Sequence, residues 1–143
     1  MEYKKFGDQF YIRLDHGDEI MSSITNFCHE NSIHLAEVSG IGGCSIATAG
    51  VFDSGNKDYK TETVNKLLEM ISLNGNITEV GGKPFLHAHA VFAYKDETGN
   101  TKLLAGHLLN AVIGLTGEIV LTPSEGNIGR EYNESLGIKT WKF

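Results

Sequence analysis

Between Gly17 and Asn31 the apolar residues Ile20, Ile24, Phe27 and Cys28 recur at i, i+4, i+7 and i+8, the period of one amphipathic helix. Nearly everything else is written in β-type runs, so this chain has to build its core mainly from a sheet. Residues 9–14 alternate like a strand. Residues 34–39 and 45–52 are short β-type runs parted by Gly40-Ile41-Gly42-Gly43, read as a turn that needs permissive backbone angles. A second turn follows at Ser54-Gly55-Asn56-Lys57. Residues 59–80 are mixed: Lys66-Leu67-Leu68-Glu69-Met70 are helix formers, whereas Ile71-Ser72-Leu73 and Asn76-Ile77-Thr78 favour a strand, the reading adopted. Residues 85–94 and 102–109 flank the polar segment Lys95-Asp96-Glu97-Thr98-Gly99-Asn100, which predicts an antiparallel hairpin. Residues 111–121 read as a further strand, and the tail through Arg130, Tyr132 and Trp141 as loop with a final short strand.

A length of 143 residues fits one domain spanning 1–143, and 41% apolar with 21% charged residues is an ordinary globular composition. No stretch approaches the eighteen or so consecutive apolar residues of a membrane span, and Met1-Glu2-Tyr3-Lys4-Lys5 lacks the apolar run of a signal peptide, so a cytoplasmic protein is expected. Cys28 and Cys44 have neither metal-type spacing nor a disulfide framework, and read as buried free thiols. The net charge is −6, and only Arg13 and Arg130 are arginines. Nucleic-acid binding needs clustered positive charge to release counterions, and the lysines here are scattered.

The specific chemical signal is histidine. In Leu86-His87-Ala88-His89-Ala90, alternate residues of a strand share a face, with Cβ atoms roughly 6–7 Å apart, a spacing that suits two ligands of one ion. His107, on the far arm of the predicted hairpin, joins that face only if the connecting loop holds an odd number of residues, because paired residues point the same way. Loops 95–99 and 96–100 satisfy this; a six-residue loop does not. Gly106 clears space beside His107, which fits either a bound ion or close strand packing. Three histidines with one open tetrahedral position are typical of catalytic zinc rather than of closed structural sites. The same pattern also fits a hydrogen-bonded histidine pair without metal. His16, His29 and His34 read as turn, helix-end and strand-start residues.

Glu69 and Glu118 are the candidate catalytic proton carriers. Both fall in apolar strand contexts where an unpaired buried carboxylate is costly, so each is expected to line a pocket or meet a partner such as Arg13 or Arg130. The glycine cluster lacks Gly-x-Gly-x-x-Gly spacing and leads into a strand, which argues against a dinucleotide site. Neither a Gly-x-Ser-x-Gly elbow nor a Walker-type lysine motif is present.

Several segments in order resemble the plant and prokaryote conserved domain, PPC or PCC. They are Arg13-Leu14 with Gly17-Asp18-Glu19, Ser39-Gly40-Ile41-Gly42, the run from Leu68-Glu69-Met70 to Gly75-Asn76-Ile77, Pro84-Phe85-Leu86-His87-Ala88-His89, Gly106-His107-Leu108 and Gly117-Glu118-Ile119. The resemblance implies an α+β domain with a largely antiparallel sheet, similar to the acetolactate decarboxylase-like fold. It also implies a homotrimer and a metal at His87, His89 and His107. Plant members bind DNA through a separate Arg-Gly-Arg-Pro hook, which this sequence lacks. The combined expectation is a zinc-binding protein with an open site for a small oxygen-bearing ligand; if it is an enzyme, metal-assisted hydrolysis, lyase or decarboxylation chemistry on a small carboxylate or carbonyl compound is the natural class. The alternative is a DNA-binding or regulatory protein.

Overall fold

The helical period is realised as α1 (Ile20–Glu30), which buries Ile20, Ile24, Phe27 and Cys28, the face read from the sequence. Glu19 caps it: its carboxylate accepts from the backbone N–H groups of Met21 at 3.0 Å and Ser22 at 2.7 Å, satisfying donors that a helix start leaves orphaned. The same carboxylate accepts from the N–H of Ala111 at 3.3 Å and so ties the helix start to the sheet. At the other end the Asn31 side chain donates to the Phe27 carbonyl at 2.9 Å.

The computed structural model describes residues 1–143. Around α1 run β1 (Glu2–Phe6), β2 (Gln9–Leu14), β3 (Ala36–Asp53), β4 (Asp58–Val80), β5 (Lys83–Lys95), β6 (Thr101–Pro123), β7 (Gly129–Asn133) and β8 (Ile138–Lys142). The sheet is almost wholly antiparallel. β3 pairs with β4 on one side and β6 on the other, and β5 pairs with both β4 and β6, so these four strands close on one another. The β1–β2 hairpin extends β6, and the β7–β8 hairpin joins β4 through one parallel pair, Glu79 with Gly129. No helix is long and apolar enough to cross a membrane.

The sequence reading divides this sheet too finely. Gly40-Ile41-Gly42-Gly43 is no turn but the middle of β3, with register shifts between Gly40 and Gly42 and again between Gly42 and Cys44. Here the glycines serve close approach: a Cβ on Gly42 would lie 2.5 Å from the Thr116 carbonyl oxygen. Residues 102–109 and 111–121 are likewise one strand, β6, because Asn110 still pairs with Thr48 and a register shift beside it absorbs the irregularity. The final short strand of the tail is β8, but the part read as loop holds a second strand, β7, that pairs with it, and β1 is a strand that the sequence reading left unassigned.

The buried apolar side chains, including the face of α1, form a single cluster. Cys28 and Cys44 belong to it as free thiols, and burial pushes both up to about 12. On β5 the core takes Leu86, Ala88, Ala90 and Phe92. Strand alternation then turns His87 and His89 to the opposite face.

Candidate metal centre

His87 is half-buried and His89 exposed, so β5 is buried on one face only. The hairpin loop is Asp96–Asn100, closed by the pair Lys95 with Thr101. Asp96 organises it: the Gly99 N–H donates to the Asp96 carbonyl at 3.0 Å, and the Asp96 carboxylate accepts from the N–H groups of Thr98 and Asn100 at 2.9 Å. Gly99 adopts φ +81°, a left-handed conformation that glycine enters at little cost. Five residues is the odd length required, and His107 pairs directly opposite His89.

Gly106 resolves its two readings in favour of strand packing. It sits at φ +142°, and a Cβ there would lie 2.3 Å from the carbonyl oxygen of Gly50. Gly50 is the β3 partner of His107. Backbone contact between β3 and β6 thus fixes the strand that carries the third histidine.

The three rings form a triangle with centroid separations of 5.3 Å for His87–His89, 5.0 Å for His87–His107 and 5.5 Å for His89–His107. One ring nitrogen from each lies within 4.8 Å of the other two. Tetrahedral zinc with bonds of about 2.0–2.1 Å wants its nitrogens about 3.4 Å apart, so binding draws the three rings closer together. Nδ1 of His107 is buried without a hydrogen-bond partner, a state that costs about 1–3 kcal/mol and that a cation can relieve. Burial lowers the pKa of His87 to about 4, with Arg130 and the other two histidines adding to the shift. Burial, then His89 and Arg130, lower that of His107 as well. Both rings are therefore neutral at pH 7, the form that ligates metal.

The surroundings come from elements far apart in sequence. Tyr59 of β4 stacks on His107 with centroids 4.6 Å apart. Arg130 of β7 donates to His87 Nδ1 at 3.3 Å, to Asn76 Oδ1 at 2.9 Å and to Thr78 Oγ1 at 2.7 Å. Tyr59 and Arg130, together with Phe85, Tyr132 and Lys139, line a cavity of about 290 Å³ beside His87 and His107. Sequence reasoning took Arg130 as a partner for a glutamate and did not single out Tyr59, Tyr132 or Lys139. No local pattern marks them, because only the β7–β8 hairpin brings this end of the chain over the site.

Glu69 and Glu118 are exposed on the strands that carry them and line a different groove, with Ile41, Gly42, Ile71 and Leu115. Within one chain they do not border the histidine cavity. Neither forms an ion pair with an arginine: Arg13 lies opposite Glu118 across the β2–β6 ladder but bonds Glu2 and Asp15 instead, and the contacts of Arg130 are with neutral groups. Alternation on β4 and β6 turns both carboxylates outward, which removes the burial cost that seemed to demand a partner.

The family model of the Plants and Prokaryotes Conserved (PCC) domain matches residues 1–125. No curated protein matches the chain. Among solved structures, a Bacteroides thetaiotaomicron protein provisionally named as DNA-binding is 30% identical with a TM-score of 0.89, the match covering 99% of this chain and 96% of that one. A metal-containing protein from Archaeoglobus fulgidus is 30% identical with a TM-score of 0.85, covering 100% of this chain and 99% of the other. Acetolactate decarboxylase from Bacillus subtilis subspecies spizizenii shares the fold at 13% identity and a TM-score of 0.55, over 84% of this chain and 54% of the enzyme. With a model match that spans β1 to β6 and leaves out only the C-terminal hairpin, this chain belongs to the Plants and Prokaryotes Conserved domain family.

Proposed function

We propose that the chain binds one divalent metal ion, zinc by the character of its donors, through His87, His89 and His107, and offers the ion's open position to a small oxygen-bearing ligand in the adjoining cavity. The carrying observation is the convergence of three imidazoles whose ligand nitrogens lie within 4.8 Å of one another. An all-nitrogen set of three neutral imidazoles suits zinc better than the hard cations, which take oxygen ligands. Such an ion supplies Lewis acidity when bound. The chain's own residues do the rest. β5 and β6 hold the histidines in register, Tyr59 braces the His107 ring, and the β7–β8 hairpin closes the side of the cavity away from the core.

Self-association, as a cytoplasmic homotrimer, belongs to the same reading. Its support is the groove in which Ile41, Ile71 and Leu115 are each more than half exposed, an apolar surface of the kind that a further copy covers. A proton-carrying role for Glu69 or Glu118 requires a second copy to bring this groove against the histidines.

Metal analysis of protein purified without added metal tests the reading. We expect about one metal per chain, lost in His87→Ala; less than about 0.2 per chain, not restored by added zinc, would overturn it. DNA binding is the competing reading, favoured by the name of the Bacteroides relative. A net charge of −6 with two arginines weighs against it. Duplex binding at physiological salt that weakens steeply as salt rises would favour it instead.

A further inference from the structure

The cation beside the histidines has no counter-ion. Arg130 is part-buried, and its contacts are all neutral: it donates to Thr78 Oγ1, Asn76 Oδ1, His87 Nδ1 and, at 3.4 Å, the carbonyl oxygen of Lys139, and its guanidinium lies over the Phe85 ring, 5.3 Å from the centroid. Lys139 lines the same cavity, and no aspartate or glutamate does. The ion pairs of the molecule leave both cations out, although acidic residues outnumber basic ones 18 to 12. A part-buried guanidinium keeps its charge, and with no carboxylate of the chain's own beside it, an anionic ligand is the complementary group for this cavity.

Metal loading sharpens the need. A guanidinium only donates, so His87 Nδ1 acts as an acceptor in its contact with Arg130. If His87 ligates through Nδ1, that lone pair is taken; if it ligates through Nε2, Nδ1 carries the proton. Either way Arg130 loses an acceptor, and one N–H at the edge of the cavity falls free. The walls are aromatic, with Tyr59, Phe85 and Tyr132 beside the polar groups, and the volume of about 290 Å³ sits at the small end of ligand pockets.

We propose that this cavity takes a small organic carboxylate, its carboxylate held by Arg130 and its body lying against Tyr59 and Tyr132. The inference rests on the metal reading for the ligand's second anchor, though the unpaired charge of Arg130 stands without it. Arg130, Tyr132 and Lys139 all lie beyond residues 1–125, the part shared with the family model. The hairpin thus supplies the cationic end of the ligand site, while Tyr59, His87 and His107 of residues 1–125 supply the rest.

The two arginines make the test direct, since their Nε–H groups give two resolvable signals in a nitrogen–proton correlation spectrum, and Arg130→Lys assigns them by removing one. The zinc-free and the zinc-loaded protein are each titrated with lactate, with its uncharged isostere lactamide, and with inorganic phosphate; zinc content, measured first, judges the metal reading separately. We expect lactate to shift the Arg130 signal in at least one of the two forms, at concentrations about tenfold below those at which lactamide acts, while the Arg13 signal stays put. A shift in the zinc-free protein upholds the carboxylate site even if zinc fails to bind. Equal response to lactamide, stronger response to phosphate, or no response to lactate in either form would overturn the proposal.

Discussion

Replacing Gly106 by alanine tests whether contact between β3 and β6 positions the third histidine. At φ +142° an alanine occupies a backbone region that L-residues rarely adopt, a strain of about 1–3 kcal/mol. Its methyl group would also lie 2.3 Å from Gly50 O and 2.9 Å from Gly50 C, both backbone atoms that cannot rotate away. Forcing packed strands apart costs about 1–3 kcal/mol more, so the expected loss is about 4 kcal/mol. With a urea dependence of about 2 kcal/mol per molar, the unfolding midpoint falls by about 2 M. Gly99→Ala is the control: it too has a positive φ, +81°, but a Cβ there meets nothing within 4 Å, so it isolates the conformational cost of about 1–2 kcal/mol. Because Gly50 is the β3 partner of His107, Gly106→Ala should also weaken zinc uptake, whereas Gly99→Ala should leave it near the wild-type level. Equal destabilisation by the two variants, or unimpaired zinc uptake in folded Gly106→Ala, would refute the idea that backbone contact sets the site.

The zinc-free protein should lose stability in acid because of His87. Its folded-state pKa is lowered from 6.5 to about 4, so the contribution is complete above pH 6.5 and is lost as pH falls towards 4, where the unfolded chain takes up a proton that the folded chain refuses. Urea titrations at pH 7 and pH 4.5 should differ by about 1–3 kcal/mol more in the wild type than in His87→Gln, and equal pH dependence would remove this role. Glu69→Gln and Glu118→Gln should keep the wild-type zinc content, since both residues line the separate groove. Loss of zinc in either variant would show that a second chain brings that groove to the histidines.

Local pattern made α1 legible, down to the four residues it buries, because a helix reports its buried face within a dozen residues. The alternation in Leu86-His87-Ala88-His89 equally announced two histidines on one face. The bends of the long strands escaped it: glycines and a polar residue that read as breaks in residues 34–52 and 102–121 are sites of close crossing, visible only once β3 and β6 lie side by side. Glu69 and Glu118 do line a groove, as expected, but apolar neighbours in sequence did not say which face each strand buries, and the groove lies apart from the histidine cavity.

The sequence by itself determined that three histidines can share one ion, subject to a single condition of parity in the loop between β5 and β6. Tertiary structure decided that condition, through a five-residue turn organised by Asp96 and a glycine contact with β3. It alone also placed Arg130 against His87, 43 positions away. Periodicity is a property of neighbours along the chain, whereas a cavity is a property of neighbours in space, and the hairpin that completes this one comes from the far end of the sequence.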